Sequence, residues 1–283
     1  MRIGSSLSGV DLTAQNNLMR AFASLNLSSV RLSTMQRINS GSDDPAGLIA
    51  AEDLRAELAA IEKASYNASR AQGAVQVADS AMSEVSGLLN TIRGNVVSAA
   101  SGVYSDAEID AMQIENDAAL AAINRIGNIT SYGGAQMLDG DAMTFALSPD
   151  LSDTSTLVLP TVSTSALGGA AGKLNELLSG GVFSLTSGSL ATAIDILDAA
   201  GAQITEGRSR AGAFEKYAIE STQRVLGSME VNLSSAFSQI HDTDVAAEAS
   251  NMVRSQILVD AATASLTIAG RSRGLISGLL GGI

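Results

Sequence analysis

The sequence predicts a mainly α fold. Long antiparallel coiled-coil-like helices come from both chain ends, and a small β-hairpin lies in the middle. Apolar residues recur at alternating steps of three and four along both halves, which is the spacing of a coiled-coil seam. Aromatic residues make up only 3% of the chain and Trp is absent, so small aliphatic side chains must form the core. Such side chains suit closely packed helices better than a deep globular core.

The first helical pattern covers about the first 40 residues, where Leu18, Leu25 and Leu32 recur every seven residues. With Phe22 they form an apolar stripe on a segment that carries few charges. Most helical stability in proteins comes from packing against a partner. We therefore predict that these residues are assembly contacts.

A tight polar turn, "RINSGSDDPAG" at residues 37–47, interrupts the helical pattern. Ser42, Asp43 or Asp44 can cap the free N–H groups of a new helix, and Pro45 suits its first turn. Gly47 and the glycine at position 41 loosen the backbone around the turn. The stretch thus indicates one helix end followed at once by a helix start.

The strongest pattern lies at residues 61–99, in a predicted helix of about residues 45–100 that is on the order of 80 Å long. Its stripe is apolar throughout and keeps the 3-4 step for more than five heptads, as a coiled-coil seam does. The seam residues are Ile61, Ala64, Ala68, Ala71, Val75, Ala78, Met82, Val85, Leu89, Ile92, Val96 and Ala99.

The middle of the chain differs from both halves. A helical pattern covers about residues 105–128 and is followed by the turn-rich stretch "SYGGAQMLDGD". Two β-prone runs, "MTFALS" and "STLVLP", predict a hairpin. Residues 161–189 are rich in Ser, Thr and Gly and predict a loop with one short helix near residues 173–178. Helix resumes at about Leu190.

The C-terminal half mirrors the N-terminal half. The same seam spacing appears in Leu226, Met229, Leu233, Ala236 and Ile240. The register then slips in "HDTD", and a new series of sevens follows in Val245, Met252, Val259 and Leu266. The simplest arrangement places the two terminal helices side by side and joins both polar interruptions into one joint. The final stretch, "GLISGLLGGI", is apolar and has nothing nearby in the chain to bury it.

Composition argues against several classes of function. The net charge of −12 is opposite to the basic face that nucleic acid requires. No apolar run reaches the roughly 18 residues of a membrane span, and the N-terminus lacks the apolar core of a cleaved signal peptide. Without cysteine there are no disulfides and no thiolate chemistry.

No catalytic or metal-binding constellation emerges. His241 is the single imidazole and sits beside Asp242 and Asp244, but a metal site needs further converging ligands, so a capped helix joint is the preferred interpretation. The stretch "GGAAGKLN" lacks the first glycine and the final Ser or Thr of a phosphate loop. We expect no enzyme activity, no cofactor and no metal.

Three motifs resemble bacterial flagellin, and they cover both ends of the chain. In "RINSGSDDPAG" the match falls on Arg37, Ile38, Asn39, Ser40, Asp43, Asp44, Ala46 and Gly47. In "SYGGAQMLDG" it falls on Gly134, Leu138, Asp139 and Gly140. The C-terminal signature is carried by Arg210, Gly212, Ala213, Ile240, Asp242, Asp244, Glu248, Gln256, Ile257 and Leu258.

The resemblance implies a filament subunit with two domains. Residues 1–42 and 243–283 are then an inner filament-core domain of paired terminal helices. Residues 43–242 are an outer coiled-coil domain, with the hairpin and loops at about 140–188. The polar stretches around Arg37 and His241 become the joint between them. The expected function is a structural subunit that self-assembles into the bacterial flagellar filament for swimming motility.

The resemblance also implies partners and a location. The chain is expected to be secreted through the flagellum's own channel without a cleaved signal. Its partners are copies of itself, the flagellar cap and hook-junction proteins, and an export chaperone with the export apparatus. A hook–filament junction protein with similar terminal helices is the nearest alternative. An enzyme is another, but only about 50 residues separate the hairpin entry from the returning helix, less than a typical domain.

Animal innate receptors recognise some flagellins through an arginine-rich patch that resembles Leu-Gln-Arg-Val-Arg-Glu-Leu. The corresponding stretch here is "LNTIRGNV". Arg93 matches the second arginine, but Thr91 stands at the first, and Gly94 and Asn95 replace the glutamate and leucine. Ala122 stands where such flagellins carry a supporting glutamate. Since threonine cannot replace the planar, multi-donor guanidinium, we expect weak or absent receptor activation.

Overall fold

A computed structural model describes residues 3–150 and 153–280. Its α-helices are α1 (Ile3–Thr34), α2 (Pro45–Ala100), α3 (Asp106–Ile129), α4 (Leu190–Ala213), α5 (Glu220–His241) and α6 (Val245–Leu280). A π-helical segment, Phe214–Ile219, connects α4 to α5. The mainly α fold predicted from the sequence is confirmed. No helix in the described residues combines the length and apolarity that crossing a membrane requires.

All strands of the described residues form two-stranded antiparallel hairpins. The strands β3 (Ala142–Ala146) and β4 (Thr154–Val158) pair from Ala142 with Val158 to Ala146 with Thr154, as the two β-prone runs predict. Two smaller hairpins were not predicted. They are β1 (Ser131–Tyr132) with β2 (Ala135–Gln136), and β5 (Gly168–Gly169) with β6 (Gly172–Lys173). The short helix predicted near residue 175 is a 3-10 turn, Leu174–Leu177.

The chain divides into two compact units, one made of segments from both chain ends and one made of a continuous stretch between them. One contains the chain up to Leu58 together with the chain from Asn232 onward, and the other is Ala59–Val231. These boundaries fall inside α2 and α5, whereas the sequence places its domain boundaries at the polar turns near residues 42 and 243. The division into an inner and an outer filament domain stays a prediction.

The core of the Ala59–Val231 unit is the seam that α2 presents. Every seam residue predicted from 61 to 99 is buried, and none is more than 7% exposed. The facing helix α4 buries its own stripe, which consists of Ala193, Ile196, Leu197, Ala200, Ile204, Gly207 and Ala211. Ion pairs of Arg93 with Asp198 and of Arg208 with Asp79 link the two helices at their flanks. The residue numbers rise on one helix as they fall on the other, so the pair is antiparallel.

The predicted continuation of the seam along α5 is only partly buried. Leu226 is 3% exposed, but Met229 is 36% exposed, and Leu233 and Ile240 are half-buried. The apolar core that α2 and α4 share ends at Ile219. Beyond Leu226 the apolar stripe of α5 therefore has fewer side chains against it in the single chain.

Amide side chains hold the loop at residues 161–189 against the helices. Gln113 of α3 accepts a hydrogen bond from the Leu185 N–H (2.8 Å) and donates one to the Leu177 carbonyl (2.9 Å). Asn124 accepts from the Thr164 N–H (2.8 Å). Gln203 of α4 bonds both backbone groups of Gly168, as a neighbouring strand would do. The loop backbone thus obtains the hydrogen bonds that buried polar groups require.

Candidate functional site

The terminal helices α1 and α6 pack side by side within their unit. On α1 the buried residues Ala21 and Ser28 lie in one stripe with Leu18, Leu25 and Leu32, which are half-buried. On α6, Val259 is 5% exposed, and Met252 and Leu266 are half-buried in the facing stripe. Phe22 lies outside this contact and is 44% exposed. The other predicted assembly residues therefore lie on the faces that the two helices turn toward each other.

The part of this contact nearest the joint is polar, which the apolar heptad pattern could not show. The Ser255 hydroxyl donates to the Ser24 hydroxyl at 3.0 Å. Arg31 Nη1 lies 3.8 Å from the carboxylate of Glu248, whose residue is 9% exposed. Arg31 Nε is buried and has no hydrogen-bond partner among the residues that the structure describes. Polar groups inside a helix pair lower its stability while favouring one alignment.

The two polar stretches, around Arg37 and His241, form one joint in which they hydrogen-bond to each other. The Arg37 N–H donates to the His241 carbonyl at 2.7 Å, and the Thr243 N–H donates to the Met35 carbonyl at 3.0 Å. Gln36 and Asp242 form an isolated antiparallel bridge between these bonds. The Arg37 side chain adds donations from Nε and Nη2 to the Ile240 carbonyl, at 3.0 and 2.6 Å. Arg37 therefore satisfies the last carbonyls of α5, which that helix leaves free.

The turn that leads into α2 closes around the carboxylate of Asp43. Its Oδ2 accepts hydrogen bonds from the N–H of Asn39 (3.1 Å), the N–H of Ser40 (2.9 Å) and the hydroxyl of Ser40 (3.1 Å). These bonds, the one from the Asn39 backbone foremost, lower the pKa of Asp43 below its usual value. Hydrogen bonds to the ionised form favour that form. Asp43 thus stabilises the turn rather than capping the helix.

Asp44 is the cap of α2. Its Oδ1 accepts the N–H of Gly47 at 2.9 Å, and Pro45 opens the helix where a missing N–H costs nothing. A side chain at position 47 would clash, because a Cβ there meets Asp44 Oδ2 and comes within 2.7 Å of Ile38 Cδ1. Ile38 is the buried apolar residue of the turn, at 2% exposure. A side chain at position 47 would therefore displace the Asp44 cap or the Ile38 side chain.

The C-terminal half of the joint uses the same chemistry. Asp244 Oδ1 accepts the N–H groups of Ala246 and Ala247, at 2.9 and 3.1 Å, and caps α6. Asp242 accepts the Ser238 hydroxyl at 2.7 Å, and this bond is the main cause of its lowered pKa. The His241 ring stacks on Phe237 with centroids 4.7 Å apart. Across the described residues, no group of three or more His, Cys, Asp or Glu side chains could hold a metal ion.

Both terminal helices carry a second apolar stripe on the face away from their mutual contact. On α1, Leu12 and Met19 precede Ala21 and Ser28 by nine residues, about two and a half turns, and so point the opposite way. The exposed large residues of these faces are Leu12 (63%), Met19 (61%) and Val30 (47%) on α1, with Val253 (55%), Ile257 (61%), Ile268 (65%) and Leu275 (71%) on α6. We call these residues the outer stripes. The end of the apolar tail, residues 281–283, lies outside the described residues.

Comparison with known proteins identifies the family. Residues 6–143 match the bacterial flagellin N-terminal helical region and residues 194–277 match the C-terminal helical region. The chain is 28% identical over 280 residues to the flagellar filament 33 kDa core protein of Treponema phagedenis, covering 94% of this chain and 96% of that one. It is also 28% identical over 263 residues to flagellin FlaB2 of Treponema pallidum, covering 88% and 90%.

A solved structure shares the fold. It is described as a flagellar hook-associated protein of Vibrio parahaemolyticus and covers 71% of this chain and 100% of its own, with a TM-score of 0.63. At 15% identity this likeness concerns the fold alone. The two matched regions lie in the segments that form the helix pair, the joint and the seam. The chain therefore belongs to the bacterial flagellin family and is a structural subunit of the flagellar filament.

Proposed function

We propose that the outer stripes of α1 and α6 are the surfaces through which copies of this chain assemble. The observation that carries the proposal is that each terminal helix has two apolar faces, and the pairing of α1 with α6 covers only one of them. Leu12, Met19, Ile257, Ile268 and Leu275 are all more than 60% exposed. Contiguous exposed apolar surface on a soluble chain marks a contact site.

Burial of these side chains supplies the driving force for polymerisation. Each Leu, Ile or Met that becomes buried contributes about 1.5–3 kcal/mol of transfer free energy. A subunit that contacts several neighbours multiplies this gain. Head-to-tail contacts between different faces of the same chain do not close on themselves, so they extend into a helix. A self-assembling filament is the expected product.

The proposed arrangement places residues 1–42 and 243–283 in the inner part of the filament and residues 43–242 in the outer part. The joint connects the two parts. The backbone bonds of Arg37 and Thr243 tie its two polar stretches together, and Asp44 and Asp244 cap the helices that follow them. These bonds support a role of the joint in holding the two polar stretches together.

The chain reaches the exterior through the flagellar export apparatus, with an export chaperone, and meets the cap and hook-junction proteins at the filament ends. It acts as a structural protein and not as an enzyme. We expect an animal innate receptor to be activated weakly or not at all. Arg93, the matching arginine of the receptor patch, is already engaged by Asp198. Asn95 donates to Glu115 and Asn116, and Thr91 places only a hydroxyl where a guanidinium is needed.

The test is polymerisation of a purified variant onto filament seeds made from the unmodified chain. Ile257→Glu introduces a charge into the outer stripe, and we expect seeded elongation to be lost while the helical unfolding transition of the monomer is retained. Thr263→Glu is the matched control, because Thr263 is also exposed on α6 but lies about a third of a turn from the stripe. Equal elongation by both variants contradicts the proposal.

A further inference from the structure

The buried seam that runs along α4, the π-helical segment and α5 contains one step that does not fit a heptad repeat. Along α4 the buried stripe Ala193, Leu197, Ala200, Ile204, Gly207 and Ala211 follows steps of four and three, and Ile196 is buried beside Leu197. The next buried residues are Ile219 and Leu226. The distance from Ala211 to Ile219 is eight residues instead of seven, and the seven-residue step then resumes.

The opposite helix has no matching irregularity. Along α2 the buried seam keeps its 3-4 step from Ile61 to Ala99 without a break. One extra residue in an α-helix rotates everything that follows by about 100°. In a plain α-helix the seam positions after Ala211 would be occupied by Phe214, Ala218, Ser221, Val225, Ser228, Asn232 and Ser235. A regular helix would thus turn a mostly polar stripe toward α2 and turn Ile219 and Leu226 away.

The π-helical segment absorbs the extra residue at this point. The Glu220 N–H donates to the Glu215 carbonyl, five residues earlier, where an α-helix would use a carbonyl four residues earlier. The wider turn holds one more residue within the same rotation. Ile219 is therefore fully buried and Leu226 is 3% exposed, both in phase with α2.

Side chains from α2 and from the β3–β4 hairpin contact the π-helical segment. From α2, the amides of Gln72 and Gln76 both donate to Glu215 Oε1, at 3.1 and 2.8 Å. From the β3–β4 hairpin, the ring of Phe145 lies 5.6 Å from that of Phe214, centroid to centroid. Thus the first two residues of the segment are positioned by side chains from elements distant in sequence. These contacts favour a wide turn at this location rather than elsewhere along the helix.

We infer that the segment Phe214–Ile219 is a register adaptor. It adds one residue between α4 and α5 so that both helices present their apolar stripes to α2. Glu215 and Phe214 are its positioning residues, held by the glutamine pair and by the hairpin. The β3–β4 hairpin consequently has a role in this subunit beyond covering the helices. It fixes the position at which the seam register changes between α4 and α5.

A pair of single-residue deletions tests the adaptor. Deleting Ala218 restores a seven-residue step from Ala211 to the isoleucine, so a continuous α-helix then satisfies the whole seam. We expect its unfolding midpoint, followed by circular dichroism, to stay within a few degrees of the unmodified chain. Deleting the exposed Ala202 instead breaks the phase inside α4, and we expect the midpoint to fall by roughly 10 °C or more. Similar midpoints for the two deletions overturn the inference.

A second measurement tests the positioning residues separately. The double variant Gln72→Ala with Gln76→Ala removes both amides from Glu215. We expect the backbone amide of Glu220 to exchange hydrogen at least several times faster, while amides of α4 near Ile204 keep their rates. The matched control is Gln203→Ala, which removes a helix amide that holds the distant loop. Unchanged exchange at Glu220 in the double variant shows that the glutamine pair does not position the turn.

Discussion

At the scale of single residues, adjacent and chemically identical side chains in the joint have different roles. Asp43 accepts three hydrogen bonds within the turn that precedes α2, whereas Asp44 caps the helix itself. Arg37 donates to the last carbonyls of α5 and also lies 3.8 Å from Asp44, an exposed pair that contributes little by itself. The joint is held together mainly by hydrogen bonds to backbone groups.

The pKa of Asp43 tests this assignment. Hydrogen bonds from Asn39 and Ser40 lower it in the folded chain, so the carboxylate stabilises the turn at pH values above about 3.9, the usual aspartate pKa. That contribution is lost as pH falls through the lower folded pKa. We expect Ser40→Ala to raise the pKa of Asp43, as followed by NMR titration of its carboxyl carbon. Ser42→Ala, which removes a hydroxyl that bonds Ser40 and not Asp43, serves as the control. The assignment is wrong if the two variants shift the pKa equally.

At the scale of elements, the two helix pairs differ in how they are stabilised. The seam of α2 buries its apolar residues completely, and ion pairs flank it. The α1–α6 contact is made of small or polar residues at its most buried positions, namely Ala21, Ser28, Glu248 and Ser255, with Val259 as the larger exception. We therefore expect the α2 seam to carry most of the stability of the isolated chain.

A charge placed in the α2 seam tests that expectation. Val85 is fully buried, and Val85→Asp leaves a carboxylate without a partner in the core. We expect a loss of about 3–5 kcal/mol in the free energy of unfolding, measured by denaturant titration. Ser83→Asp adds the same charge at an exposed position of the same helix and should change stability by less than about 0.5 kcal/mol. Comparable losses in the two variants would mean that the seam has been assigned to the wrong face.

At the scale of the whole molecule, one compact unit is built from segments of the two ends of the chain, whereas the other is the continuous stretch Ala59–Val231. The terminal unit contains α1, α6 and the joint, and it also carries the outer stripes. Its helices present large apolar side chains to solvent in the single chain, and their mutual contact buries few large ones. Such an element belongs to the least stable parts of a protein until a partner covers it.

Hydrogen exchange followed by mass spectrometry tests this view. Peptides from residues 12–34 and 245–272 should exchange rapidly in the monomer and slowly in the filament, because only assembly covers the outer stripes. Peptides from residues 61–99 provide the internal reference and should be protected in both states. The proposal fails if the terminal peptides are as well protected in the monomer as they are in the filament.

Much of the fold follows from the sequence because periodicity is a local property. The helix limits of α2, the seam at residues 61–99 and the β3–β4 hairpin all agree with predictions from spacing and β-propensity. The joint is also visible as capping residues beside proline and glycine. The resemblance of its residues to bacterial flagellin indicates a filament subunit from the sequence alone.

Other features depend on residues far apart in the chain, and only the tertiary structure decided them. Three adjacent residues of the turn, at positions 42–44, could cap α2. Which one does so depends on how Arg37 and Ile38 place the turn against the segment around His241. The heptad series are regular on each side of the π-helical segment and are offset by one residue. This offset matters because the seam of α2, which lies opposite, keeps its register throughout. Local pattern determines which face of a helix is apolar, whereas the neighbour that covers that face is chosen by packing across the whole chain.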